Sequence, residues 1–250
     1  WQIIKIIKKL KIKNLKFKTI LVGDHVSALP EESLQNSPVD FVLTGGDYDF
    51  AILNLVNYLR GKEKLAPGVW YRKNSKIVNT GKAQLNHNLE TLPLIDRDLT
   101  CWRDYAYKNS NFYRAPGAYT MFARDCWWGK CTFCSWVHNL YPVKTFRTRS
   151  VEKALDEIGH LIKNYHIKEI MDDSGTFPVG DWLRNFCRGM IERGYNKKIK
   201  FNCNMRFNAG LTKKDYQLMG QAGFRFLLYG LESANQKTLD KIDKNLKIDQ

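Results

Sequence analysis

The sequence predicts an α/β protein in two parts. A doubly wound portion comes first, and from about residue 117 a run of parallel βα units follows, either an open sheet or a partial TIM-type barrel that is small or cut short. Two observations lead there. Short apolar runs alternate with amphipathic stretches of helical period, the mark of parallel βαβ construction. The 250 residues are enough for one large domain or two small ones, whereas a full (β/α)₈ barrel needs about 250 on its own. A composition of 44% hydrophobic and 26% charged residues excludes a disordered or fibrous chain. No apolar run approaches the roughly 20 residues of a bilayer span.

The elements follow in order. Residues 2–12 (QIIKIIKKLKI) place Ile3, Ile4, Ile6, Ile7 and Leu10 at near-helical spacing against lysines. Residues 17–22 read as a strand ending at Gly23, and 39–43 as a second strand before Gly45-Gly46. Residues 49–60 read as a helix stopped by Gly61, 69–79 as a hairpin, and 85–113 as a linker. The second part begins with a strand at Tyr119–Ala123. A helix at 151–164 has Ser150 as N-cap, and a strand at Ile167–Met171 follows. Then come a helix at 182–193, a strand at Ile199–Phe207, and a helix opened by the Thr212/Asp215 capping box. A strand at Phe224–Gly230 and a helix from 236 complete the pattern. The expected divisions are 1–65, a hairpin and linker over 66–114, and 115–250.

The strand at 199–207 alternates strictly. Ile199, Phe201, Cys203, Met205 and Phe207 share one face; Lys200, Asn202, Asn204 and Arg206 share the other. In a helix-covered barrel the apolar face packs under the helices, and the polar face points into the lumen, where a ligand sits.

The formal net charge is +15, and the first 19 residues alone carry seven lysines and no acid. Residues 111–150 carry six basic residues against one acid. A basic balance suits nucleic acid, an acidic membrane or simply solvated lysine faces. No nucleic-acid-binding signature accompanies it. The chain opens on Trp1, with no cleavage site after an apolar run, and the expectation is a piece of a longer protein.

Of six cysteines, Cys126, Cys131 and Cys134 fall within nine residues, directly after a strand. Without a secretory signal, clustered thiols point to metal or redox chemistry in a cytoplasmic protein. Three thiolates can hold three irons of a [4Fe–4S] cluster and leave the fourth open. The rival is a Cys₃His zinc site completed by His138. Cys101 reads as a linker residue, and Cys187 and Cys203 as core.

The segments VGDHVSALPEE (22–32), VDFVLTGG (39–46), LPLIDRDL (92–99), ARDCWWGKCTFCS (123–135), MDDSGTF (171–177) and YGLES (229–233), the last followed by NQKTLDKIDKNL (235–246), together resemble the radical S-adenosylmethionine (SAM) superfamily. The likeness is to members with an N-terminal cobalamin-binding domain, and it covers nearly the whole chain. Four residues separate Cys126 from Cys131, where the family usually has three, and the family's Asp-x-His-x-x-Gly motif is absent.

The resemblance implies the C-terminal part of a Rossmann-like cobalamin-binding domain before a radical SAM core of four βα units. It implies Cys126, Cys131 and Cys134 as ligands of a [4Fe–4S] cluster that cleaves SAM reductively. Asp172, Asp173, Asn204, Arg206, Glu232 and Ser233 become cofactor contacts at strand ends, and His25 a candidate lining residue of a corrin tail pocket. Arg124, Lys130, Arg147 and Arg149 surround an anionic cluster, with Trp127 and Trp128 shielding it. The implied partners are an electron donor such as flavodoxin or ferredoxin and a substrate to be methylated or rearranged. The alternatives are a methylthiotransferase-like enzyme acting on tRNA and a non-catalytic zinc-binding nucleic-acid module.

Overall fold

The computed structural model describes residues 2–12, 17–108 and 112–248, so residues 109–111 of the expected linker lie outside the described residues. The chain divides into two compact units. One comprises residues 1–87 with 134–145, the other 88–133 with 146–250.

The first unit contains α1 (Gln2–Ile12), β1 (Ile20–Leu21), α2 (Asp24–Ala28), α3 (Pro30–Gln35), β2 (Phe41–Leu43), α4 (Tyr48–Leu59), β3 (Val69–Lys73) and β4 (Lys76–Asn79). Its sheet runs β1-β2-β3-β4, with β1 and β2 parallel and the rest antiparallel. Period-2 alternation in β2 feeds two cores. Val42 packs with Ile7, Val26, Leu34 and Val39, while Phe41 and Leu43 pack with Leu55 and Val69. The hairpin expected between domains extends this sheet instead, because Val69 and Trp70 pair with Leu43 and Val42 and bury against both cores. Tyr141 returns to this unit and donates its hydroxyl to the Gly46 carbonyl at 2.6 Å. A Cβ on Gly46 would lie 2.1 Å from the Tyr141 ring, so glycine is required by close approach.

The second unit contains α5 (Arg103–Ala106), β5 (Gly117–Thr120), β6 (Ala123–Arg124), β7 (Arg147–Thr148), α6 (Val151–Tyr165), β8 (Glu169–Asp172), α7 (Asp181–Glu192), β9 (Lys200–Met205), α8 (Lys213–Gln221), β10 (Phe224–Tyr229) and α9 (Gln236–Lys241). Four parallel strands lie in chain order, β5-β8-β9-β10, each joined to the next across a helix. Ser150 accepts from the Lys153 N–H at the start of α6, and the Thr212/Asp215 capping box opens α8. The core under the helices is aromatic: Phe122, Phe177, Phe186 and Phe201 are fully buried.

The strand expected at 119–123 breaks after Thr120. The N–H groups of Phe122 and Ala123 donate to the side chains of Asp172 and Ser174, and Ala123 pairs antiparallel with Thr148. Asp172 lies fully buried behind this break, and burial pushes its carboxyl up to about 6 despite the donors facing it.

Below α6, Glu157 is buried between Arg97 and Arg149 and ion-paired to both. Arg97 also donates to the Tyr119 carbonyl at 2.7 Å, which fixes the LPLIDRDL segment against β5.

Two stability outcomes follow. Glu157→Ala leaves two buried guanidinium groups without their carboxylate and should cost about 3 kcal/mol in chemical denaturation. In the pH profile of stability, folded Asp172 keeps its proton across a window where the unfolded chain has lost it. Its contribution is therefore full below the ordinary aspartate range and is lost as pH rises through about 6. Denaturation midpoints of wild type should fall across that window more steeply than those of Asp172→Asn.

Candidate active site

The cysteine loop leaves the C-terminal end of β5 and is stitched to the end of β8. The Asp125 backbone carbonyl accepts from the Thr176 N–H at 3.0 Å, and its carboxylate accepts from the Gly175 N–H. The Thr176 hydroxyl lies 3.1 Å from Cys126 Sγ. Ser174 and Asp172 hold the backbone just before the loop, Asp172 through Phe122 N–H at 2.9 Å and Thr120 Oγ1 at 3.0 Å. Gly175 must be glycine, because a Cβ there would fall 2.0 Å from the Asp125 carboxylate.

A second set of contacts ties the loop to the residues after α9. The Thr132 N–H donates to the Ile242 carbonyl at 3.0 Å, and Trp128 Nε1 donates to the Asp243 carbonyl at 2.7 Å. Lys244, buried, pairs with Glu232 at 2.9 Å and lies over the Phe133 ring.

Between these two attachments lies Arg206. It follows β9 and is 6% exposed. Its guanidinium packs over Trp127 at 5.4 Å and Trp128 at 5.1 Å, donates to the Lys244 carbonyl, and places Nη1 3.6 Å from Cys131 Sγ. Cys131 is buried; burial pushes its thiol up, and the Arg206 hydrogen bond and charge oppose that shift.

The polar face of β9 thus reads upward as a ladder. Asn202 donates to Glu169 at 2.6 Å, Asn204 faces Asp173 at 3.4 Å and the Ser174 carbonyl at 3.3 Å, and Arg206 reaches Cys131.

The expected site residues fall into distinct places. Asp173 and Asn204 meet at the strand ends, with Asp173 exposed. Asp172 does not face a ligand site: its Oδ2 is taken by Thr120 and Phe122, and its Oδ1 by Ser174. Glu232, at φ 67°, is engaged by Lys244. The Ser233 hydroxyl accepts from the Asn235 N–H, and it is Asn235 that caps α9. Of the expected basic surroundings, Arg149 is spent on Glu157, and Lys130 is exposed over Trp128. Sequence reasoning missed Asp125, Thr176 and Lys244; a carboxylate and a lysine that the fold buries carry no local sequence signal.

Cys126 and Cys131 belong to the second unit, and Cys134 opens the segment 134–145 that belongs to the first. Among the described residues, no three His, Cys, Asp or Glu side chains are gathered as a metal-holding set. The chain itself keeps Cys134 near Cys131, since three residues span at most about 11 Å. A donor stands beside each of the two sulfurs, a hydroxyl at Cys126 and a buried guanidinium at Cys131, the kinds of group that hydrogen-bond a ligating sulfur. Cys187 and Cys203 are core thiols, Cys187 pushed up to about 12 by burial, and Cys101 is exposed.

The first unit holds a cavity of about 360 Å³ lined by Ser27, Thr44, Gly45, Lys82, His138 and Asn139 among others. It lies past the C-terminal end of β2, where open α/β sheets bind ligands. His25, exposed, lines a separate cavity beside Gly23.

Comparison with solved structures decides the fold. The radical SAM methyltransferase TsrM from Kitasatospora setae, with cobalamin and a [4Fe–4S] cluster bound, superposes with a TM-score of 0.70 at 14% identity. The match covers 94% of this chain and 45% of that one. The chain shares the α/β fold of that enzyme over the matched part. A second TsrM structure, with tryptophan and a SAM analogue, gives a TM-score of 0.71 at 13% identity, with the same coverage.

Sequence relatives of the chain bear out the resemblance read from its motifs. An uncharacterized methyltransferase of Pyrococcus horikoshii is 27% identical over 238 residues, 94% of this chain and 50% of that protein. The anaerobic magnesium-protoporphyrin IX monomethyl ester cyclase of Cereibacter sphaeroides is 25% identical over 244 residues, 92% of this chain and 37% of that protein. The 4′-phospho-dehydrooxetanocin synthase of Priestia megaterium is 23% identical over 92% of this chain. The chain spans about half or less of the length of these relatives. No protein-family model matches it. Neither the tRNA nor the zinc-module reading finds support in these matches. Among the described residues, no helix is long and apolar enough to cross a membrane.

Gly175→Ala tests the stitching of the loop. It must displace the buried Asp125 carboxylate, and a loss of about 1–3 kcal/mol in denaturation is expected from the overpacked contact.

Proposed function

We propose that this chain carries the SAM-cleaving core of a radical SAM enzyme, together with part of a Rossmann-like cobalamin-binding domain, and that the whole protein transfers a methyl group or rearranges a substrate. The observation that carries the reading is the place of the cysteine loop. It follows the first strand of a parallel sheet in a chain whose fold superposes on that of a radical SAM methyltransferase, at the strand end where barrel enzymes hold their chemistry.

Cys126, Cys131 and Cys134 would hold a [4Fe–4S] cluster, leaving one iron without a protein ligand. When bound, that cluster supplies one electron to the sulfonium of SAM. The chain's own part is to bind and orient. Asp173 and Asn204, meeting at the ends of β8 and β9, offer an acceptor and a donor for the polar methionyl end of SAM. Glu232 and Ser233 follow β10 and would approach the ribose or the methionyl part. Trp127 and Trp128 cover the loop and exclude water.

Cobalamin is supported by the cavity beside Ser27, Thr44, Lys82 and Asn139. At about 360 Å³ it suits part of that cofactor, such as its nucleotide tail, whose phosphate and hydroxyl groups match these donors. A flavodoxin- or ferredoxin-type donor would supply the electron, from a cytoplasmic pool.

The test is anaerobic reconstitution of the chain with iron and sulfide. Wild type should become brown and convert SAM. Single Cys→Ala changes at 126, 131 or 134 should lose cluster absorbance and at least about 100-fold in SAM turnover, about 2.7 kcal/mol on the barrier. A colourless protein that retains one zinc would overturn the reading.

A further inference from the structure

Arg206 is buried, yet among the described residues it has no carboxylate partner. Other buried or half-buried cations of the second unit, among them Arg97, Arg149, Arg225 and Lys244, are ion-paired. Burying an unpaired cation is unfavourable, so such a group is retained where an anion faces it. What faces it here is the sulfur of Cys131, 3.6 Å from Nη1. The remaining contacts hold the guanidinium in that aim: the Lys244 carbonyl fixes Nη2, and two indole faces pack against the plane. Nε makes no hydrogen bond. Lys244, whose charge also acts on this sulfur, is paired with Glu232, whereas the guanidinium of Arg206 donates to the sulfur itself.

We propose that Arg206 is a positioning residue for the Cys131 thiolate. Its donation to that sulfur stabilises the extra negative charge of the reduced cluster and raises the cluster's reduction potential. The inference rests on the reading that Cys131 ligates iron, and it departs from the expectation that Arg206 chiefly meets the carboxylate of SAM. A hydrogen bond from a cation withdraws electron density from a ligating sulfur, and hydrogen bonds to cluster sulfurs are among the main determinants of potential. Arg206 also joins the cysteine loop to the 242–245 segment, so the same contact sets the loop's place.

The experiment is a dithionite titration of the reconstituted full chain, followed by electron paramagnetic resonance, without SAM. Wild type, Arg206→Lys and Arg206→Met are compared, with Arg206→Gln replacing the Met variant should that fail to fold. The neutral variant should keep its iron but shift the midpoint to more negative potential, and Arg206→Lys should recover most of the shift. An unchanged SAM-free midpoint in the neutral variant, with weakened SAM binding in equilibrium dialysis, would overturn the inference and return Arg206 to the SAM carboxylate. A wild-type chain that takes up no iron would instead remove the underlying reading, and the inference with it.

Discussion

The second unit depends on the two faces of β9. Its apolar residues are committed to an aromatic core, where Phe201 packs against Phe177, Phe186 and Phe224 at centroid distances of 4.9–5.5 Å. Because side chains alternate along a strand, that commitment forces Asn202, Asn204 and Arg206 onto the opposite face. There each needs a polar partner, and each finds one on a different element: Glu169, Asp173 and Cys131. A one-residue slip of β9 would exchange the two faces and bury the polar set against phenylalanines, so the register with β8 and β10 fixes the site as well as the core.

The loop that carries the cysteines has little regular structure of its own, and groups from two other places hold it. The end of β8 and the turn after it supply Asp172, Ser174, Gly175 and Thr176; the segment after α9 supplies the carbonyls of Ile242 and Asp243, and that of Lys244 through Arg206. This is costly chemistry: a fully buried carboxyl with a raised pKa and a buried guanidinium without a carboxylate. Such groups are retained where they position reacting atoms on rigid elements, and the ends of parallel strands are the places where a sheet offers that rigidity.

The first unit uses the same alternation for another purpose. β2 is buried on both faces, so its three apolar residues feed two separate cores, and the sheet is extended by a hairpin instead of further parallel strands. Polar side chains are left to line the cavity beyond the strand end.

Periodicity by itself determined most of the architecture: the helical stretches at 2–12, 151–164 and 182–193, the alternation of β9, and the Thr212/Asp215 box all depend on neighbours in the chain, and all are present. The cysteine spacing and the ordered motifs were enough to point to the loop on which the proposed chemistry rests. Only the tertiary structure decided which polar residues remain open. Asp172 and Asp173 are adjacent and equally acidic, yet one is sealed behind β5 and the other is exposed, because consecutive residues leaving a strand point to opposite sides. The tertiary structure also set Arg206 against Cys131, a contact across 75 residues that no local pattern carries. Its physical reason is the pairing of four parallel strands in chain order, which sets the strand ends side by side and brings the loop after the first strand to the residue that follows the third.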